Sequence, residues 1–142
     1  MISVALKNFR EIKAGAPAVL FKSHNPLYAD GEQMRDFIWV GDCIKVILWL
    51  LENPQISGLF NLGTGQAQSF NQLVNAVYLA MGKTPQVQYV ETPIAIREKY
   101  QYFTQADISK LRSNGFESEF KTVEEGVNEY VQSFLGSEDP YK

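Results

Sequence analysis

A few side chains in this sequence could hold an anionic small molecule. Arg35 opens a run of strand-forming residues directly after a long polar loop. A guanidinium there can present its planar fork to a pyrophosphate, or it can pair with neighbouring Asp36. His24, beside Lys22 and Ser23, is the only histidine. With no second histidine and no cysteine cluster, it does not mark a zinc site. It is either a solvated loop residue or a contact to a phosphate or sugar hydroxyl. Tyr100, in Lys99-Tyr100-Gln101-Tyr102-Phe103, can stack on a base, donate to a phosphate, or pack in the core. Gly63-Thr64-Gly65 falls between a strand-like and a helix-like segment, where a dinucleotide fingerprint would need G-x-G-x-x-G. The third glycine position is Gln68, so a tight turn between closely packed backbones is favoured over a phosphate cradle.

Other chemistries find no support. No nucleophile–base pair, metal cluster or glycosidase-like carboxylate pair stands out. Catalytic, cofactor-binding and metal-ligating residues are therefore all assigned as none. Glu124-Glu125 and Glu138-Asp139 read as helix-start and tail acids. Cys43, the single cysteine, lies in an apolar run and reads as a small core residue. One cysteine forms no intrachain disulfide, so nothing points to an oxidising compartment.

The elements that must position these residues alternate along the chain. Residues 1–14 read as a helix with Ala5, Phe9 and Ile12 on one side, closed by Gly15. No cap or strand is evident before it. Ala18–Phe21 is a short strand, and 23–33 is a polar loop. Arg35–Val40 is rich in aromatic and β-branched residues and reads as a strand. Asp42 can cap a helix over 43–52, apolar on nearly every side and so expected to be buried between layers. A strand is expected over 58–62. Ser69 with Gln72, and Thr122 with Glu125, form capping-box patterns. Their helices carry apolar stripes at Phe70, Leu73, Val74, Val77 and Met81, and at Val123, Val127, Tyr130, Val131 and Phe134. A strand over 87–90, an irregular stretch over 93–101 and a short helix over 104–113 lie between them. The order α-β-β-α-β-α-β-α-α implies an α/β layered fold, with residues 1–142 as one domain.

Composition sets outer limits. The chain has 142 residues, 45% of them apolar and 20% charged, which is ordinary globular material. Its net charge of −3 argues against a nucleic-acid partner. The first 35 residues nonetheless carry a net +2, which suits an anionic small molecule better than a polyanion. The longest strictly apolar stretch, Val46–Leu51, is far too short to span a bilayer, and Lys7, Arg10 and Lys13 preclude a signal-peptide reading. The default is a soluble cytoplasmic protein with no membrane partner.

Five segments together resemble a known family: Phe21–His24, Arg35–Asp42, Gly58–Gly65, Tyr100–Asp107 and Phe120–Val127. The first three are similar to the C-terminal half of extended short-chain dehydrogenases that act on nucleotide sugars. The motif Tyr100-Gln101-Tyr102-Phe103-Thr104-Gln105-Ala106-Asp107 narrows the resemblance to the ADP-L-glycero-D-manno-heptose 6-epimerases. That resemblance implies the C-terminal, substrate-binding part of a Rossmann-like enzyme, without its N-terminal dinucleotide-binding domain. In the family, NADP⁺ transiently oxidises carbon 6 of the heptose and re-reduces it from the opposite face, making a lipopolysaccharide core precursor.

Carried over by resemblance, Phe21, Lys22, Ser23 and His24 match the segment beside the ADP moiety. Arg35 matches the phosphate-binding arginine, and Tyr100 the substrate-contacting tyrosine. Lys7 replaces a histidine that contacts substrate in many members. The Tyr-x-x-x-Lys pair of the superfamily is absent: no tyrosine here has a lysine four positions later. The resemblance thus implies a chain that binds an ADP-sugar but is catalytically incomplete, with no NADP of its own. Such a chain would self-associate or pair with a missing Rossmann domain. The alternatives are a non-catalytic ADP-sugar-binding module, half of a split enzyme, or part of another nucleotide-sugar epimerase or dehydratase.

Overall fold

Two short sheets and a layer of helices present the loops that concern function. A computed structural model describes residues 3–137. Helix α1 (Val4–Lys13) is capped by Ser3, whose hydroxyl accepts from the Leu6 N–H, so a cap does precede this helix. Strand β1 (Ala18–Phe21) pairs in parallel with a later strand, Val87–Val90, with Ala18 opposite Val87 and Phe21 opposite Val90. Tyr78 locks that pairing: its hydroxyl accepts from the Ala18 N–H at 3.2 Å and donates to the Gln86 carbonyl at 2.6 Å. A buried tyrosine normally finds such partners, and here they set the sheet's register.

The expected strand over Arg35–Val40 is much shorter. Strand β2 is Met34–Arg35 alone, antiparallel to β3 (Gln68–Ser69). The chain leaves the ladder at Asp36 because that side chain is drawn into a turn, described below. Helix α2 (Val40–Glu52) then begins at Trp39. Asp42 is therefore not its cap. It lies in the first helical turn, fully buried, accepting from the Lys45 ammonium and the Lys121 N–H.

Helix α3 (Phe70–Ala80) carries the expected capping box, with the Ser69 hydroxyl and Gln72 amide both engaged. Strand β4 (Val87–Val90) follows, then a single helical turn, α4 (Ile94–Arg97), inside the stretch expected to be irregular. The helix expected over 104–113 is only α5 (Ser109–Ser113). Helix α6 (Val123–Glu129), capped by the Thr122–Glu125 box, continues as a π-helical turn over Tyr130–Leu135. Residues 58–62 form no strand. The main core joins α1, β1, α3 and α6 through Phe9, Ile12, Leu20, Val74, Val77 and Val127. A smaller cluster of Val46, Leu111 and Phe116 lies under α2.

Helix α2 is not buried between layers. Val40, Ile44, Ile47, Leu48 and Leu51 are all more than half exposed. Their spacing of four, three, one and three places them on one stripe. Cys43 is correspondingly only half-buried rather than a core residue.

Candidate functional site

Arg35 is held by its neighbours into a fixed pose. Its guanidinium donates to the Met34 carbonyl at 2.7 Å and to the Gln101 carbonyl. It also lies 5.5 Å from the Tyr100 ring centroid and 5.7 Å from that of Phe70. A guanidinium has five N–H donors, so donors remain for a ligand. Asp36 is not its ion-pair partner, because that carboxylate is engaged elsewhere. The Tyr100 ring meets Phe21 edge-on at 6.3 Å and Tyr102 at 5.4 Å. Burial pushes the Tyr100 hydroxyl above its usual pKa, against the pull of Arg35, which keeps it a donor at neutral pH.

Tyr102 extends the cluster to the 23–33 loop. Its hydroxyl accepts from the His24 N–H at 2.9 Å, and its ring packs 5.5 Å from Tyr28. Ser23 is tied inside the loop: its N–H donates to Asp30 and its hydroxyl to the Asn25 carbonyl. The side chains of Lys22 and His24 both turn to Glu91, at 2.9 and 3.4 Å. Phe21, His24, Arg35 and Tyr100 are thus joined through direct contacts and Tyr102, and Lys22 joins them through Glu91. Lys7 stands apart. Its ammonium donates to the Val19 carbonyl and pairs with Glu11.

The Arg35 segment is anchored by Asp36. One carboxylate oxygen accepts from the Thr64 N–H at 2.7 Å and the Thr64 hydroxyl at 2.6 Å. The other accepts from Gly65 N–H at 2.9 Å and Ala106 N–H at 3.0 Å. Burial raises its pKa, but these four hydrogen bonds outweigh burial and hold the carboxyl below its usual value. Gly65 has a left-handed φ of +75°. A Cβ on Gly63 would lie 2.5 Å from the Ala106 Cβ. Gly63-Thr64-Gly65 is therefore the tight turn the sequence favoured. Its N–H groups at 64 and 65 already serve a carboxylate, so the turn does not fit a dinucleotide phosphate.

Two cavities flank the segment after Arg35, and neither is lined by Arg35, Tyr100 or His24. One, of about 520 Å³, is apolar and includes Ala5, Phe37, Trp39, Leu73 and Tyr130. The other, of about 840 Å³, includes Thr64, Gln66, Arg112, Phe116 and Phe120. The Arg35 cluster forms a face of its own, with Arg35 and Tyr100 half-buried and His24 exposed. Sequence reasoning missed Glu91, Tyr28 and Tyr102 as members of that face. Tyr102 was in view within the Tyr100 motif, but nothing in the sequence ties Glu91 to residues seventy positions away.

Comparison with known proteins agrees with the resemblance. The sequence model of the NAD dependent epimerase/dehydratase family matches residues 2–63. The chain is 47% identical over 141 residues to the ADP-L-glycero-D-manno-heptose-6-epimerase of Nitratidesulfovibrio vulgaris, covering 99% of this chain and 44% of that protein. It is 39% identical over 147 residues to the enzyme of that name from Fusobacterium nucleatum, covering 99% of this chain and 44% of that one. In structure it resembles the UDP-N-acetylglucosamine 4-epimerase of Methanobrevibacter ruminantium M1, solved with UDP-N-acetylmuramic acid. The TM-score is 0.75 at 25% identity, over 94% of this chain and 39% of that one. It also resembles the dTDP-glucose 4,6-dehydratase of Bacillus anthracis, with a TM-score of 0.72 at 22% identity, over 96% of this chain and 40% of that one. The α/β fold is thus shared with nucleotide-sugar epimerases and dehydratases, and the chain spans under half the length of the relatives it matches.

Proposed function

We propose that this chain, similar over nearly its whole length to part of the ADP-L-glycero-D-manno-heptose-6-epimerases, supplies the substrate-binding portion of such an enzyme. The observation that carries the reading is the Arg35 face. A guanidinium braced between two aromatic rings has spare donors, and Lys22 and His24 are linked to it through Tyr100, Tyr102 and Glu91. Such a face offers a fork to a diphosphate, and ring surfaces to a base or sugar. Phe21, Lys22, Ser23, His24, Arg35 and Tyr100 are its binding residues. Lys7 is a separate, outlying contact.

In a whole enzyme of this kind NADP would do the redox chemistry at sugar carbon 6, in the cytoplasm, on the way to lipopolysaccharide core. The Gly63-Thr64-Gly65 turn does not fit the phosphates of that cofactor, because its N–H groups are committed to Asp36. The chain's share is to bind and orient the ADP-sugar. Alone it binds without turning over. The exposed α2 stripe is where a Rossmann domain, from the same or another polypeptide, would pack.

Calorimetry with ADP tests this. The unmodified chain should bind, and Arg35→Ala should weaken binding about ten-fold or more, the cost of a lost hydrogen bond to a charged group. Tyr100→Phe should weaken it less. Equal, negligible heats for all three would refute the reading, and so would stoichiometric NADP in the purified chain.

A further inference from the structure

Glu91 stands in the middle of the cationic part of this face, and neither the motifs nor the resemblance gives it a role. The sheet puts it there. Phe21 pairs with Val90, and the Lys22 N–H donates to the Val90 carbonyl at 2.8 Å, so Lys22 and Glu91 are the next neighbours across the strands. The Thr92 hydroxyl, buried, donates to the Lys22 carbonyl and fixes the same junction. Arg97 approaches from α4, donating to the Thr92 carbonyl at 2.9 Å and to Glu91 at 3.5 Å. One Glu91 oxygen meets the Lys22 ammonium, while the other meets His24 Nε2 and Arg97.

Three nitrogen groups that can carry positive charge therefore converge on one carboxylate from separate segments. That is how a protein arranges donors around phosphate oxygens. The carboxylate is also on the most exposed of the four side chains, at 61%. The hydrogen bond and charge of Lys22 hold its pKa below the usual value, so it is ionised at neutral pH.

We propose that Glu91 is a built-in counter-ion of the phosphate end of this site, gathering Lys22, His24 and Arg97 in the free protein and giving way to a ligand phosphate. The inference rests on the nucleotide-sugar reading above and adds a specificity rule to it. Glu91 makes every anion compete for the three nitrogen groups. A phosphate group presents enough oxygens to replace both carboxylate contacts at once, as a single-atom halide cannot.

The test is titration of the unmodified chain and Glu91→Gln with ADP and with inorganic pyrophosphate, at fixed ionic strength. Glu91→Gln keeps the shape, removes the competing charge, and lies on the surface, so it should fold. Binding of both ligands should tighten about 3- to 10-fold, the scale of a few exposed ion pairs released. His24, the only histidine, supplies an unambiguous nuclear magnetic resonance probe. Its ring signals should differ between the two free proteins and converge when both are saturated. ADP binding that is unchanged or weaker in Glu91→Gln overturns the counter-ion role and leaves the nucleotide-sugar reading standing. Pyrophosphate binding that tightens while ADP binds neither protein overturns the nucleotide reading and supports the counter-ion. No binding of either ligand to either protein refutes both.

Discussion

Asp36→Asn is the substitution from which the structure gives the clearest magnitude. The carboxylate takes four hydrogen bonds from Thr64, Gly65 and Ala106, and so ties the Arg35 segment to two others. An asparagine amide can keep only part of this. In its best orientation the carbonyl accepts from Gly65 and Ala106, and the Thr64 hydroxyl reverses to accept. The Thr64 N–H then faces an NH₂ group. One donor left unpaired costs about 1–3 kcal/mol, and the other bonds lose their charge assistance. For this half-buried site the sum is about 2–3 kcal/mol, a large share of the roughly 5–15 kcal/mol of a typical domain. Urea unfolding followed by tryptophan fluorescence should show a midpoint lowered by about 1–2 M with unchanged slope. Its pH dependence is a second check. The folded pKa of Asp36 is lowered, so its contribution is complete above about pH 4 and is lost as pH falls through that lower value. The gap between unmodified protein and variant should therefore narrow below about pH 4. A midpoint shift under about 0.3 M at neutral pH, or a gap that does not narrow in acid, would refute the anchoring role.

Two further outcomes follow from packing. Gly63→Ala should destabilise the chain by about 1–3 kcal/mol through overpacking, because its Cβ would meet the Ala106 Cβ at 2.5 Å and an Asp36 oxygen at 2.6 Å. Gly15→Ala has nothing within 4 Å and only its left-handed φ of +80° to oppose it, so it should cost about 1–2 kcal/mol. Comparable urea midpoints for Gly63→Ala and the unmodified chain would contradict the close-packed turn. The chain should self-associate through the α2 stripe, and the pair Ile47→Lys with Leu51→Glu should restore a monomer. Sedimentation velocity decides this, and a clean monomer with a sharp melt before any substitution would count against it.

What the sequence shows well is local. Both capping boxes lie within four residues, and each is formed as read, because hydroxyl and amide need only their own turn to meet. The helical stripe Leu73, Val74, Val77 lands in the core for the same reason. Apart from the Ser3 cap and the single turn α4, the main errors involve partners far along the chain. The Arg35–Val40 run has strand-forming residues throughout, yet only Arg35 stays in a ladder. Asp36 is captured by a turn twenty-eight residues later. Trp39 starts α2 and packs on Tyr130 and Phe134. Residues 58–62 are apolar without pairing. Phe60 packs against the small cluster with Lys110 over its ring, and the Asn61 amide donates to the Asp107 carbonyl.

The same distinction governs the site. Arg35 and Tyr100 were legible as chemistry because their residue types are uncommon choices beside a polar loop, and the family resemblance gave them roles. Their mutual contact was not legible, since it depends on Met34 bridging to Phe103 in parallel. Glu91 was invisible for a stronger reason: a glutamate after a strand is ordinary in sequence. It acquires meaning only when β1 and β4 pair in the register that Tyr78 fixes and bring Lys22 beside it. A core tyrosine at the other end of the two strands thereby sets the charge arrangement of this face. The apolar α2 stripe carries the converse lesson. Its composition alone said buried. In the structure the same residues face outward, because among the described residues α2 packs on one side only, through Val46 and its small cluster.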